Sequence, residues 1–257
     1  MKATIAQETS EPVIQVEHVT KQFRYWNDRP TSAKSVLVKL ASFNFDFGKK
    51  TEFLALNDVS FDIKQGEFVG VMGRNGAGKS TLLKLICGIY MPTQGKIRVH
   101  QQIAPLIELG AGFHGDLSGY ENIFLNASIL CFGRKAALEA SQAIIEFSEL
   151  GDKIHMPVKN YSSGMLVRLG FSVASHLTAP IMLIDEVLAV GDAGFQEKCL
   201  RKIHSLHQEG RTIVLITHTA SAVRDNCSRC IVIEKQQKLY DGPAAEGVEF
   251  YLQAVRT

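Results

Sequence analysis

The sequence predicts an α/β protein built on a largely parallel sheet, and three features predict it. Apolar runs at 68–72, 181–184 and 212–216 are typical of strands that are buried on both faces, as in parallel sheets. An amphipathic stretch around Phe195, Cys199 and Ile203 is typical of a covering helix. Polar or glycine residues follow each run directly, at the strand ends where such sheets bind ligands.

Length and composition limit the kind of protein. The chain has 257 residues, enough for one large α/β domain or two small ones. Its formal net charge of +2 indicates no broad basic face, so we expect no nucleic-acid partner. We expect residues 1–12 to form a flexible N-terminus, because they are polar and lack the apolar core of a signal peptide. The longest uncharged run, 169–184, is too short to span a bilayer comfortably, so a membrane role would need a partner chain.

The five cysteines are widely spaced except for Cys227 and Cys230. No second C-x-x-C pair completes a zinc site. The pair is either a redox couple or two half-buried thiols between a helix and the strand at 231–233. The sequence favours two half-buried thiols. We also expect a soluble protein in a reducing compartment.

The segment 73–81, G-R-N-G-A-G-K-S-T, is the centre of the predicted site. It lies between the strand at 68–72 and a predicted helix at 82–86, and its spacing is the G-x-x-x-x-G-K-S of a phosphate-binding loop. Glycines let backbone N–H groups close around phosphate oxygens, and the helix directs its positive end at the same anion. Lys79 would reach the β- and γ-phosphates and Ser80 would bind Mg²⁺. The alternative, an ordinary glycine-rich turn, is disfavoured by the strand-to-helix placement.

Three further side chains are predicted at the same edge of the sheet. Asp185 and Glu186 end the apolar run at 181–184. Beside a phosphate loop, Asp185 is expected to hold Mg²⁺ through water and Glu186 to polarise an attacking water; a helix-capping acid pair is the alternative. His218 follows the strand at 212–216. A lone histidine there usually has a core or capping role, but its place beside two phosphate-binding elements favours function.

A second serine- and glycine-containing turn, 160–165, leads into a helix predicted to start near Met165. Its N–H groups and hydroxyls would lie at a helix N-terminus and could bind a second anion. Seen alone, Ser162 would be interpreted as a plain helix cap.

Residues 21–51 form an unusual segment that is rich in aromatic and cationic residues. Some of its apolar residues recur at helical spacing, whereas Phe43, Phe45 and Phe47 alternate as in a strand, so both structures stay open. The favoured interpretation is an amphipathic element packed on the core. The other is a surface that meets a membrane, a lipid-linked substrate or a partner, because aromatic and cationic side chains together suit a water–lipid boundary.

The remaining elements are predicted from the same patterns. Residues 117–150 are expected to be helical, and a final helix is expected from about Ala244. Shorter strands are predicted at 13–19, 54–63, 96–99, 103–107, 231–234 and 238–240.

With these elements in place, the chain resembles the nucleotide-binding subunit of an ATP-binding-cassette (ABC) transporter. Segment 73–81 is similar to the Walker A loop, 181–186 to Walker B, 189–192 to the D-loop, and Thr217-His218 to the switch histidine. The resemblance implies a P-loop NTPase core with a mixed sheet. Its implied parts are the ATPase domain 13–242, a helical signature subdomain at about 110–178 within it, and a C-terminal helix, 243–257.

The resemblance also assigns residues to ATP and Mg²⁺. Catalytic roles are implied for Lys79, Glu186 and His218. The implied magnesium ligands are Ser80, Asp185 and Glu108. Phe23 stands where the family stacks an aromatic ring on adenine, with Tyr25 as the second candidate. The implied ATP-binding residues are Phe23, Gly73, Asn75, Gly76, Gly78, Lys79, Ser80, Thr81, Ser162, Gly164 and Asp192.

Two departures from the family pattern narrow the resemblance. The signature, usually L-S-G-G-Q, reads Y-S-S-G-M at 161–165, so Ser163 replaces a glycine and Met165 the glutamine. Segment 108–114 stands where most relatives carry a glutamine, and Glu108 is the candidate that replaces it. Both features, and the aromatic segment, are similar to exporters of O-antigen, capsular polysaccharide and teichoic acid.

The resemblance therefore implies an ATPase that powers export of a lipid-linked polysaccharide, of O-antigen or capsule type, across the inner membrane. A homodimer would bind ATP between Lys79 and Ser80 of one subunit and Ser162 and Gly164 of the other. It would lie on the cytoplasmic face of the inner membrane and contact a permease through residues 110–132. The alternatives are a teichoic-acid exporter or a soluble ABC ATPase outside transport; a nutrient importer is disfavoured by the missing glutamine.

Overall fold

The computed structural model describes residues 12–26, 50–106, 110, 112–177, 179–185 and 192–256. The strands in these ranges are β1 (Pro12–Trp26), β2 (Lys50–Lys64), β3 (Phe68–Met72), β4 (Gln94–Val99), β5 (Ile103–Leu106), β6 (Ile181–Asp185), β7 (Thr212–Thr217), β8 (Arg229–Glu234) and β9 (Gln237–Pro243). The α-helices are α1 (Lys79–Ile86), α2 (Gly119–Ile129), α3 (Arg134–Ser148), α4 (Ser163–His176), α5 (Ala193–Gln208), α6 (Ala220–Asn226) and α7 (Ala244–Arg256).

The strands form two sheets. The larger has six strands in the order β5-β6-β7-β3-β8-β9. Its first five strands run parallel, and β9 pairs antiparallel with β8. The smaller sheet, β2-β1-β4, is antiparallel. The α/β class and the mixed sheet are therefore confirmed.

Helix α1 lies in the core between the two sheets. Its Leu82, Leu83, Leu85 and Ile86 are all buried, as expected for the apolar face of an amphipathic helix. On the other face of the large sheet, α5, α6 and α7 supply the apolar side chains of a second cluster. The phosphate-loop segment therefore stands between a buried strand, β3, and a buried helix.

Three helices, α2, α3 and α4, form a third apolar cluster beside the sheets. Helix α2 begins at a capping box, in which the Oγ of Ser118 accepts from the Glu121 N–H and the Glu121 carboxylate accepts from the Ser118 N–H at 2.8 Å. The predicted helical stretch 117–150 is two helices, because Cys131 has a φ of 62° and Gly133 caps the start of α3. Short 3-10 turns at Gly151–His155 and Val158–Asn160 then lead to α4.

Strand β1 is longer than the predicted 13–19. It stays paired with β2 as far as Trp26, which lies opposite Lys50. The first six residues of the aromatic segment are therefore strand, and exposed Tyr25 lies on it. Residues 27–49, including the helix-or-strand ambiguity around Phe43, lie outside the described residues.

The cysteine pair is more deeply buried than the sequence predicted. Cys227 and Cys230 are both free and both buried against α7 and the large sheet. Burial raises the pKa of each thiol to about 12. Redox cysteines depend on a lowered pKa, so the buried-thiol interpretation is favoured over the redox couple. No helix within the described part of the chain is long and apolar enough to span a bilayer.

Candidate functional site

The glycines of the 73–81 loop are required by its packing. Gly78 caps α1 with a φ of 107°, and a Cβ there would lie 2.3 Å from the carbonyl oxygen of Ala55. A Cβ on Gly73 would lie 2.1 Å from the carbonyl oxygen of Ile233. At Gly76 the φ of 82° and the open space around it leave the backbone accessible. The backbone therefore passes close to two neighbouring strands and still presents an open turn, the geometry that phosphate oxygens require.

Lys79 places its charge over this loop. Its Nζ donates to the carbonyl oxygens of Gly73 at 2.7 Å and Arg74 at 3.1 Å. The side chain is buried, although lysine is rarely buried, and it stands in the first turn of α1, where the helix dipole is also positive. Both features favour an anion at this place. Asn75 and Ser80 are exposed beside it, and Thr81 is partly buried.

The sheet brings the other predicted phosphate elements to the same edge. Strands β6, β7 and β3 are neighbours, and Asp185 lies opposite Ile216 while Met72 lies opposite Thr217. Asp185, the exposed His218 and the glycine loop therefore follow the carboxyl ends of three adjacent strands, as the sequence predicted. Glu186 and Glu108 lie outside the described residues, so the structure does not place them.

The signature turn caps α4. Ser162 is its N-cap, and its Oγ accepts from the Met165 N–H at 3.3 Å, so the helix starts at Ser163 rather than near Met165. A Cβ on Gly164 would meet only the Ser162 Oγ, at 3.9 Å. Within the single chain the turn is a helix cap with open space beside it. Its role towards a second anion stays a prediction.

Phe23 lies on β1, close to the loop but not in it. Lys21, two residues before Phe23, pairs with Leu56 on β2. The Leu56 side chain packs against Gly78 of the loop, where it would lie 2.7 Å from an added Cβ. The Phe23 ring packs edge-on against Tyr90 at 5.2 Å, with the Lys21 ammonium 5.0 Å from its centroid. Its predicted contact with adenine is not tested by these neighbours.

Asp192 is the N-cap of α5, and it reveals a feature that the sequence predictions missed. Its carboxylate accepts from the Phe195 N–H at 3.0 Å and from the guanidinium of Arg168. The pKa of Asp192 is lowered, first by the Phe195 N–H and then by Arg168. Arg168 also pairs with Glu149. One signal was present: Arg168 immediately precedes the longest uncharged run of the sequence.

The described residues supply few metal ligands of their own. Among them, no group of three or more His, Cys, Asp or Glu side chains could hold an ion. Ser80 and Asp185 are the predicted ligands that fall in the described ranges. Two protein oxygens fit the way Mg²⁺ binds in nucleotide sites, where phosphate and water complete its shell.

The glycine loop between strand and helix, with an acid and a histidine at the same sheet edge, defines the class of a phosphate-loop nucleotide-binding protein. A family comparison matches residues 56–189 to the ABC transporter family. The chain belongs to this family and is an ABC-type ATPase. The fold is similar to a dimeric structure of the ATP-binding cassette MJ0796 in a post-hydrolysis state with ADP and Pi, with a TM-score of 0.70, 20% identity, and coverage of 90% of this chain and 98% of that chain.

Two groups of relatives are similar along nearly the whole chain. The O-antigen export system ATP-binding protein RfbB of Klebsiella pneumoniae is 44% identical over 245 residues, which cover 95% of this chain and 99% of that protein. The teichoic acids export ATP-binding protein TagH of Listeria innocua is 38% identical over 245 residues, which cover 95% of this chain and 70% of that protein.

Proposed function

We propose that the chain is the ATP-hydrolysing subunit that powers export of a lipid-linked polysaccharide, of O-antigen or capsule type, across the inner membrane together with a permease. The observation that carries the proposal is the glycine loop, closed over by Lys79 and placed on the same sheet edge as Asp185 and His218. The similarity to RfbB, an O-antigen export protein, supports the substrate class. Its place is the cytoplasmic face of the membrane, held there by the permease.

The residues divide the work of hydrolysis. The loop 73–81 holds the β- and γ-phosphates through its N–H groups and Lys79. Ser80 and Asp185 would hold Mg²⁺, and the ion would neutralise negative charge on the phosphates. Glu186 accepts the proton of the attacking water, and His218 reaches the γ-phosphate from the neighbouring strand.

A second copy of the chain completes the site. The signature turn has space beside Ser162 and Gly164 for an incoming phosphate at the N-terminus of α4. The dimeric state of the solved cassette with ADP and Pi supports the same arrangement here. Binding of ATP then favours the closed dimer, because only the dimer contacts the γ-phosphate from both sides, and hydrolysis favours opening.

An O-antigen substrate is favoured over teichoic acid by sequence identity, which is 44% to the RfbB relative and 38% to the TagH relative. A teichoic-acid exporter ATPase is kept as the second candidate.

The permease contact is proposed at the end of α2. A cavity of about 810 Å³ opens between this end, the end of α1 and strands β4 and β5. Its wall is mostly apolar and includes the exposed side chains Met91 and Ile129. Both positions line this cavity, and Ile129 falls in the predicted contact segment 110–132, so an apolar helix of the permease is the partner that this surface would suit. Ile129→Asp should abolish co-purification with the permease and spare ATPase activity, whereas Leu138→Asp, exposed on α3, should spare both.

The substitution Glu186→Gln tests the ATPase mechanism. The variant should bind MgATP with unchanged affinity, lose turnover by at least about a hundredfold, and elute as a dimer on gel filtration with ATP. If it stays monomeric with ATP while hydrolysis persists, Glu186 is not the base.

For the substrate, the wild type with its permease should hydrolyse ATP faster when an undecaprenyl-linked glycan is added. If the ATPase rate does not change with any such glycan, the proposed export of polysaccharide is wrong and the chain is an ABC ATPase with another role.

A further inference from the structure

A buried tyrosine stands immediately before the signature serine. Tyr161 precedes Ser162, the N-cap of α4, and is 8% exposed within the apolar cluster of α2, α3 and α4. Its hydroxyl donates to the Lys153 carbonyl oxygen at 2.7 Å. Burial raises the pKa of Tyr161, and the Gly119 N–H acts in the opposite direction. Because a buried hydroxyl is costly without a partner, this hydrogen bond fixes the direction of the ring.

The space for this hydroxyl is left by a glycine. Gly119 is the first residue of α2, and a Cβ added there would lie 2.3 Å from the Tyr161 hydroxyl oxygen. The same Cβ would lie 3.0 Å from the Ile154 side chain. The φ of Gly119 is not positive, so other residues could adopt its conformation. Glycine is therefore required at this position by the space that the tyrosine fills and not by the backbone.

Backbone hydrogen bonds join the segment before the signature to the loop before α2. The Val158 N–H donates to the Leu117 carbonyl oxygen at 2.9 Å, and the Lys159 N–H donates to the Gly115 carbonyl oxygen at 3.0 Å. These bonds hold the segment up to two residues before Tyr161. The Tyr161 hydroxyl extends the attachment to the residue next to the signature turn.

The signature turn itself is accessible beyond this point. Ser162 and Ser163 are exposed, and the space beside Gly164 is open. The Oγ of Ser162 accepts from the Met165 N–H, a bond within the turn. The direction in which the turn presents its N–H groups therefore depends on the residue that leads into it, which is Tyr161. An anion site at a helix N-terminus needs these groups aligned, so a small displacement weakens it.

We propose that Tyr161 is a positioning residue for the shared ATP site, and that its hydroxyl, held in the space left by Gly119, sets the direction of the signature turn. The inference rests on the proposed function, in which Ser162 and Gly164 contact the ATP held by the glycine loop of a second copy. Each dimer contains two such turns, so the loss of the hydroxyl affects dimer formation twice.

The experiment measures ATP-dependent dimer formation with the full-length Glu186→Gln chain, in which hydrolysis does not limit the dimer. Sedimentation velocity with saturating MgATP gives the dimer dissociation constant. Titration of dilute protein with a fluorescent MgATP analogue gives the affinity of the monomer. Adding Tyr161→Phe should raise the dimer dissociation constant at least about tenfold and leave the affinity of the monomer within about threefold, because the glycine loop is not changed.

Tyr120→Phe is the matched control. It removes the same group from the residue next to Gly119, where the Tyr120 ring packs on Phe124 at 5.2 Å. Its dimer dissociation constant should stay within about twofold of the parent chain. Gly119→Ala should raise the constant as Tyr161→Phe does, because the new Cβ displaces the hydroxyl. Its effect should be smaller when Tyr161 is already Phe, since the atom that the Cβ meets is then absent.

Three results would overturn the proposal. They are an unchanged dimer dissociation constant in Tyr161→Phe, even with a lower melting temperature; an equal rise in Tyr120→Phe; and a loss of MgATP affinity in the monomer as large as the loss of dimer formation. If Gly119→Ala does not fold, the two Tyr→Phe variants decide the comparison. A Glu186→Gln chain that stays monomeric with MgATP would instead refute the proposed function, so the two failures are distinguishable.

Discussion

Gly78→Ala is the sharpest test of the loop geometry. The φ of 107° is a conformation that side chains rarely adopt, which costs about 1–3 kcal/mol. The new Cβ would also lie 2.3 Å from the Ala55 carbonyl oxygen, and forced overpacking of this kind costs about 1–3 kcal/mol more. The sum, about 2–6 kcal/mol, is a large part of the roughly 5–15 kcal/mol by which domains are usually stable.

Gly210→Ala supplies the control. Gly210 has a φ of 86° in the turn between α5 and β7, with no atom within 4 Å of its Cβ position, so it carries the strain without the clash. Urea unfolding should show Gly78→Ala less stable than Gly210→Ala by about 1–3 kcal/mol. Calorimetric titration should show at least tenfold weaker MgATP binding for Gly78→Ala and unchanged binding for Gly210→Ala. Equal stability and equal binding in the two variants would refute the reasoning.

Three other predictions address the rest of the chain. A thiol reagent at pH 8 should label the exposed Cys131 first. Cys199, Cys227 and Cys230 should react only after unfolding, because they are buried and burial raises the pKa of each to about 12. Rapid labelling of Cys227 would contradict its burial. Burial would raise the pKa of Asp241, but the hydrogen bonds from Arg229 outweigh burial and lower this pKa below 3.8. The ionised Asp241 therefore stabilises the folded chain above pH 3.8. The difference in unfolding free energy between wild type and Asp241→Asn should be largest there and should shrink as the pH falls below 3.8. A difference that does not change with pH would refute that assignment. Replacing Tyr25 and Trp26 by Ser should spare ATPase activity and block export. If ATPase activity and export fall equally, the aromatic segment has a structural role only.

The sequence was most informative where local chemistry determines structure. Strand β3 was predicted residue for residue, because a continuous apolar run leaves few alternatives. The glycines of the loop stand directly after it, as predicted, but α1 begins at Lys79, three residues before the predicted start at 82. The alignment of Asp185 with His218 at one edge followed from the parallel-sheet prediction alone.

The sequence was least informative where long-range contacts decide. The break between α2 and α3 depends on a positive φ at Cys131, a residue with no special preference for it. The extension of β1 to Trp26 depends on pairing with β2, 24 residues further along the chain. The pairing of Arg168 with Glu149 and Asp192 unites residues from three separate parts of the chain, so only the folded chain shows it.

The central claim is that each ATP is held between the glycine loop of one subunit and the signature turn of another. Mixing two inactive variants, Lys79→Ala and Ser162→Arg, tests it most directly. In a mixed dimer one site combines both defects, while the other pairs an intact loop with an intact turn. If the site is shared, an equal mixture should regain about a quarter of the wild-type ATPase rate, since half of the randomly formed dimers hold one good site of two. If the mixture stays as inactive as each variant alone, the site lies within one chain and the claim is wrong.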